Sequence, residues 1–421
     1  VSVDVPVSVR PETRRVKLAV AAAGISSFAL LYAPQPVLPQ LAAQYHLDPG
    51  SASLAVSVAT GALAIAVLPI AALSEIVGRR PIIIASVTLS VVLGLLMPFA
   101  PSYPVLLVLR ALQGIAIAGF PGVASAYLVE QLGKTGVAAA VGAMIAGNTV
   151  GGMLGRLSAG FSAEALGWHG ALAVVAGVAL VCSAITVLSL PAGARAPGER
   201  SRGVLSGMGL ALRRPVLLAQ YGVALLAMGA FVAMYNAAGF RLTGDLGLSP
   251  AVASLVFLAY AVGSVSSSNA GRLVARFGRP RAVLGGLAVM ASGILLTLPD
   301  SLPLVVLGFV VLTGGFFAAH AVANGWAAAE APEGARGQAS GMYTLAYYLG
   351  SSVGGTLGSV VFGHFGWRWL VGAAVVWLVL AGGTVVGLRG RGVRRAVVSP
   401  PAGSTRSRTG RRTTSPSRPT A

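Results

Sequence analysis

AALSEIVGRRPII, residues 71–83, reads as a short basic turn between two long apolar runs, and it has an echo in AGRLVARFGRPRA, residues 270–282. In each copy a leucine (Leu73, Leu273) stands five positions ahead of a glycine (Gly78, Gly278), and basic residues and a proline follow within three. Corresponding positions lie 200 apart, so the chain reads as an internal duplication.

The apolar runs on either side of the motif set the class of protein. Of 421 residues, 55% are hydrophobic and 10% charged, with a mean hydropathy of +0.81, which excludes a soluble globular domain. A bilayer core of about 30 Å takes about 20 apolar residues per helix. Segments of that kind follow one another from Leu18 to Leu388, and twelve spans are expected in an all-α membrane protein. The first six cover about 17–41, 51–74, 81–99, 103–128, 136–163 and 167–190. The second six cover about 215–240, 249–270, 279–298, 303–329, 336–362 and 367–388. This divides the chain into a tail (1–16), a six-helix bundle (17–190), a linker (191–214), a second bundle (215–388) and a basic tail (389–421). The last is rich in Arg, Ser, Thr, Pro and Gly and is expected to be disordered.

The formal charge of +19 would suit a nucleic-acid partner, but topology accounts for it. With the N-terminus inside, all of the 30 Lys and Arg except Arg110, Arg156, Arg241 and Arg368 fall in cytoplasmic segments. This asymmetry puts both termini in the cytoplasm and makes nucleic-acid binding the weaker reading. The basic residues ahead of the first apolar run resemble a secretory signal, yet no small-residue cleavage site follows, so a retained first span is expected. Cys182 is the one cysteine, so no intramolecular disulfide can form. No metal-ligand cluster or nucleotide-binding glycine loop is visible, and no metal, cofactor or ATP is expected.

Further marks of duplication follow. Glu130 and Glu330 both close an even-numbered span, and Gly147, Gly151 and Gly155 correspond to Gly350, Gly354 and Gly358. Two halves of six spans, each starting inside, are parallel repeats, an arrangement whose substrate sites lie between the halves near the midplane. Within the first span, YAPQPVLPQ (32–40) carries Pro34, Pro36 and Pro39. These should break the helix and leave carbonyls that only a cavity or neighbouring helices can satisfy.

These residues resemble the major facilitator superfamily, over all twelve spans. Its loop signature, G-x-L-a-D-r-x-G-r-[RK], is met by Leu73, Ser74, Gly78, Arg79 and Arg80, with Ala71 for the first glycine and Glu75 for the aspartate. The second copy keeps Gly271, Leu273, Arg276, Gly278 and Arg279 but has Ala275 at the acidic position. LRALQGIAIAG (109–119) is similar to the family's R-x-x-q-G-x-x-x-G pattern. YAPQPVLP, GNTVGGMLGR and MYNAAGFRL look like the bacterial inner-membrane branch described as arabinose-efflux-permease-like or drug-efflux-like. The resemblance implies a monomeric, proton-linked transporter of the inner membrane that exports a small organic solute by rocking its halves. Uptake of an organic anion or sugar, or a transporter-like sensor, are the alternatives; an enzyme is not expected.

The candidate residues follow from cost. An intramembrane arginine needs a cavity or a partner, which singles out Arg110, with Gln113 on its face, and Arg156, beside Asn148 on a polar stripe of the fifth span. Thr313, Phe317, His320 and Asn324 recur at helical spacing on one face of the tenth span, and His320 is the candidate proton carrier. Gln35, Tyr235, Asn236 and Tyr347 complete the expected substrate site. The resemblance implies a gating role for Glu75, Gly78, Arg79 and Arg80, with Glu75 as the acid of a cytoplasmic latch in the first loop only, and Arg156 is expected among the gating and coupling residues and not in the substrate set. None of the eleven acidic residues falls at mid-membrane, which favours neutral or anionic solutes.

Overall fold

In the computed structural model, which describes residues 11–191 and 204–398, the chain is helical almost throughout. The first half comprises α1 (Pro11–Tyr32), a 3-10 turn (Gln35–Val37), α2 (Leu38–Tyr45), α3 (Pro49–Val77), α4 (Arg79–Leu96), α5 (Tyr103–Ala118) and α6 (Ala124–Ser189). A short helix, α7 (Val204–Leu212), lies in the expected linker and precedes the second half. That half comprises α8 (Pro215–Phe240), α9 (Pro250–Ser254), α10 (Tyr260–Ser268), α11 (Ala270–Phe277), α12 (Arg279–Leu296), α13 (Leu302–Ala329), α14 (Arg336–Phe365) and α15 (Trp367–Val398). The final helix runs ten residues past the expected boundary at 388, and residues 399–421 of the basic tail lie outside the described residues.

Nine helical stretches among the described residues are long and apolar enough to cross a membrane. One of them, Ala139–Ser189, has 51 residues, roughly 75 Å if straight against a core of about 30 Å. It is not straight. Tyr127 Oη donates to the Pro191 carbonyl at 3.1 Å, so the two ends of α6 meet, and Gly167, at φ 62°, supplies the turn. α5 is a shorter apolar helix of 16 residues. α14 has 30 residues, but Gly, Ser and Tyr dilute its apolar character.

Helices end where the side chains require. Pro34 and Pro36 stop α1 and start a 3-10 turn, as the sequence leads one to expect. The fourth expected span is interrupted instead of continuous, because Gly119, Pro121 and Gly122 divide α5 from α6. The eighth is likewise divided, into α9, a 3-10 segment (Leu255–Ala259) and α10. Asp48 caps α3, accepting from the Ser51 amide at 3.0 Å and from the Ser51 hydroxyl at 2.5 Å. At the duplicated motif Gly78 and Gly278 adopt φ 105° and 76°, which makes glycine the residue for both turns.

The two halves are packed by the same device. A Cβ on Gly147, Gly151 or Gly155 would be driven into the α1 backbone at Ala21, Ile25 and Ala29. One on Gly350, Gly354 or Gly358 would meet α8 at Leu225, Gly229 and Ala233. Both stripes thus seat a pair of helices at backbone contact, the close approach that small residues at every fourth position permit. Adding a methyl to either should cost about 1–3 kcal/mol. Gly151→Ala and Gly354→Ala should each lower the thermal melting temperature of the purified protein, whereas Gly142→Ala, which has open space, should not.

Candidate functional site

Arg110 is fully buried, and its guanidinium is spent on backbone. Nε donates to Ala55 O on α3 at 2.6 Å, Nη1 to Leu30 O at 3.1 Å and Nη2 to Leu31 O at 2.5 Å, both in the last turn of α1. Nη1 also donates to Gln113 Oε1, and Gln113 Nε2 donates to Ser90 O at 2.9 Å. The Leu30 carbonyl is the one that the amide of residue 34 would satisfy in a continuous helix, and residue 34 is a proline without that amide. Arg110 therefore fills the gap left by Pro34. In this structure it is the clamp that holds the broken end of α1.

Arg156 is also buried, at 1% exposure, but it faces the other half. Its Nε donates to Gln35 Oε1 at 2.5 Å and its Nη1 to Gly152 O at 2.7 Å. The guanidinium lies 4.0 Å from the Tyr32 ring centre and 4.6 Å from that of Tyr260 on α10. Gln35 Nε2 in turn donates to Asn236 Oδ1 on α8 at 2.7 Å. A polar strand thus runs from α6 through the break after α1 to α8, joining the halves.

The polarity of that strand is forced. Arginine can only donate, so Gln35 must present its oxygen to Arg156 and keep its amide group for Asn236. Asn236 must then present its oxygen, which leaves its own Nδ2 as a buried donor without a partner. Ser57 Oγ is likewise unpartnered, and the two lie 3.0 and 3.5 Å from the place that a Cβ on Gly355 would occupy.

An aromatic belt connects this strand with His320. Tyr260 meets Phe231 and Phe317 with ring centres 5.6 and 5.8 Å apart, Phe231 stacks on Phe316 at 4.1 Å, and Phe316 stacks on His320 at 5.7 Å. His320 Nδ1 is 3.0 Å from Tyr343 Oη, and its ring is 4.7 Å from Tyr347. Tyr235 is fully buried inside the belt, with its hydroxyl 2.7 Å from Thr313 Oγ1.

The structure therefore brings Gln35, Arg156 and Asn236 into one strand, and Tyr235, Phe317, His320 and Tyr347 into one belt beside it. Arg110 and Gln113 stand apart inside the first half. Asn148 Oδ1 is buried without a partner next to Gly24. Asn324 is exposed, so the expected continuous face of the tenth span ends at His320.

The residues of the expected latch find other partners in this structure. Glu75 is exposed at the carboxyl end of α3, where the helix dipole disfavours an anion, and it joins none of the ion pairs of the described residues. Arg79 instead pairs with Glu130 on α6 at 2.7 Å. Arg80 Nε donates to Leu190 O at 3.1 Å, the carbonyl that ends α6. The second loop has its acid too, because Arg279 lies 3.5 Å from Glu330. The sequence showed Glu130 and Glu330 as duplicated positions, but a loop read by itself could not show an ion pair closed from another helix.

At the opposite end, which Asp48 and Ser249 mark, the halves touch. Glu164 Oε2 accepts from Ser249 Oγ at 2.8 Å and from the Ala251 amide at 3.3 Å, and Gly160 abuts Ser254. Along α3 and α14, Ser352 Oγ donates to Ser57 O at 2.7 Å. The contacts of Glu164, Tyr32 and Tyr260 were not legible in the sequence, since what they touch belongs to distant parts of the chain.

Comparison with known proteins meets the same duplication. The sequence model of the Major Facilitator Superfamily matches residues 20–242 and again residues 222–418. The chain belongs to the Major Facilitator Superfamily. It is 36% identical over 375 residues to the uncharacterized MFS-type transporter YybF of Bacillus subtilis (strain 168), covering 88% of this chain and 92% of that one. It is 37% identical over 374 residues to the inner membrane transport protein YnfM of Escherichia coli (strain K12), covering 88% and 89%. Among solved structures it is similar to a bacterial homologue of the human lysosomal transporter Spinster, inward-facing and unoccupied. That likeness has a TM-score of 0.77 at 18% identity and covers 94% of this chain and all of the other, so it speaks for the fold. This superfamily protein is a multi-pass membrane transporter and not an enzyme.

Proposed function

We infer that the protein is a twelve-span secondary transporter of the bacterial inner membrane, with both termini cytoplasmic, which exports a small organic solute by alternating access. The observation that carries this reading is the Arg156–Gln35–Asn236 strand, a hydrogen-bonded tie between the halves that ends in an unpartnered donor. A solute oxygen offered to Asn236 Nδ2 completes the strand, and a rocking motion that separates α1 from α8 breaks it. Solute binding and motion are thereby linked.

The solute class follows from the groups along the strand and at its open end. They are a guanidinium, an amide donor and the Ser57 hydroxyl, while every carboxylate with a described side chain is exposed. Hydroxylated neutral solutes and organic anions suit such a site; cations do not. His320, joined to Tyr343, is the proton carrier of this reading, and the direction of transport rests on the likeness to the efflux branch. The ends follow from the charge asymmetry: the Gly78 end is cytoplasmic and the Asp48 end is held shut by Glu164.

The test is flux in proteoliposomes under an imposed proton gradient, with a panel of sugars, polyols, organic acids and organic cations. The expected result is gradient-dependent movement of a neutral or anionic member that His320→Ala uncouples from pH. Transport of a cation alone would overturn the solute class, and flux indifferent to the gradient would overturn the coupling.

A further inference from the structure

Two of the 30 basic residues sit on the side of the membrane where the charge asymmetry does not call for them, Arg241 and Arg368. They are 127 positions apart in sequence, yet both line one cavity of about 340 Å³ at the Asp48 end of the second half, with Asp245, Asp300, Trp367 and Trp369. Arg241 is only 1% exposed. Its Nη2 donates to Pro299 O and to Asp300 Oδ1, both at 3.1 Å, and the guanidinium stands 4.4 Å from the Trp367 ring centre. Nε and Nη1 have no partner.

A buried guanidinium with two of its three nitrogens unpaired is costly, and oxyanions satisfy it best, because the fork of donors matches carboxylate and phosphate oxygens. A plain anion would not suit the whole cavity, since Asp245 and Asp300 line it together with the two arginines and Asp300 already accepts from Arg241. A phosphate that carries its own ammonium fits both signs: oxygens towards Arg241 and Arg368, nitrogen towards the aspartates and over an indole face. The position decides between a free and a membrane-borne phosphate. The cavity lies where α8 ends and α15 begins, and Phe365 and Trp369 beside it are 65% and 68% exposed, as aromatic residues at a bilayer interface are. Asp300 is exposed and can swing aside to admit a phosphate oxygen.

We propose that this cavity is a binding site for the zwitterionic headgroup of phosphatidylethanolamine in the leaflet at the Asp48 end. The site is separate from the strand between the halves and does not depend on what that strand carries. To test it, the full chain is reconstituted in phosphatidylcholine nanodiscs holding equal amounts of phosphatidylethanolamine and phosphatidylglycerol. It is then released into mild detergent, and the retained lipids are counted by native mass spectrometry. The wild type should retain the ethanolamine lipid at least threefold over the glycerol lipid. Arg368→Ala, at an exposed position, should lower the retention of both lipids at least threefold with an unchanged melting temperature. Asp245→Asn, also exposed, should shift the preference towards the glycerol lipid. Equal retention of both lipids by the wild type, or the wild-type pattern in both variants, overturns the proposal. If soluble glycerophosphoethanolamine displaces the lipid at equal concentration, the site takes free phosphate esters and the membrane assignment is wrong.

Discussion

Replacing Arg110 with alanine is expected to destabilise the protein severely, and restoring one backbone amide is expected to recover part of the loss. The substitution leaves the Leu30 and Leu31 carbonyls buried without the donors they now have. At about 1–3 kcal/mol for each orphaned group, the loss is about 2–6 kcal/mol, a large fraction of the stability of any folded protein. It should appear as a much lower melting temperature and a smaller monodisperse peak in detergent. Arg110→Lys should be nearly as harmful, because one ammonium cannot reach Ala55, Leu30, Leu31 and Gln113 together. The second change is Pro34→Ala, which returns an amide that can donate to Leu30 O. In the Arg110→Ala background it should raise stability, and in the wild type it should not. Strict additivity of the two substitutions would refute the clamp.

Arg156 should act differently, with a smaller effect on folding than Arg110, because Gln35 can turn its amide, and a large one on transport. Removing it takes away the charge-assisted bond to Gln35 and the stacking on Tyr32 and Tyr260. It also frees Gln35 to turn its amide, so Asn236 no longer has a forced donor end. A hydrogen bond to a charged group is worth about 1.5–3 kcal/mol, and each 1.4 kcal/mol is about tenfold. Solute affinity in Arg156→Ala should therefore fall by about tenfold to a hundredfold, read by isothermal binding or flux once a solute is in hand. Arg156→Lys should not restore it, since an ammonium lacks the flat face that stacks between two tyrosines. Unchanged affinity in either variant would remove the strand from the solute site.

The two arginines also show where sequence reading reaches its limit. The cost of burying a guanidinium made both legible as residues with a purpose, and the prolines of residues 32–40 made the break in α1 legible. That the one repairs the other depends on α5 lying beside α1, which periodicity cannot reveal. The duplication was plain at Gly78 and Gly278, whose positive φ leaves glycine as the economical residue, and in the paired glycine stripes, whose function is local to two helices. The ion pairs were hidden. Arg79 has an acid four positions away in sequence, Glu75, and takes one 51 positions away, Glu130. Gln35 was a candidate for the substrate site, yet its part as the middle of a tie between halves needed Asn236 brought to it across 201 positions.

In alternating access the halves rock about this strand, so that one end opens as the other closes. Double electron–electron resonance on pairs of spin labels tests it most directly. Cys182 is first replaced by serine, and exposed positions are then labelled across the halves: Leu166 with Val252 at the Asp48 end, Ile76 with Phe277 at the Gly78 end. When solute or a proton gradient is applied, the first distance should lengthen and the second shorten, and Arg156→Ala should remove the response to solute. Two distances that stay fixed, or that change in the same direction, would contradict alternating access.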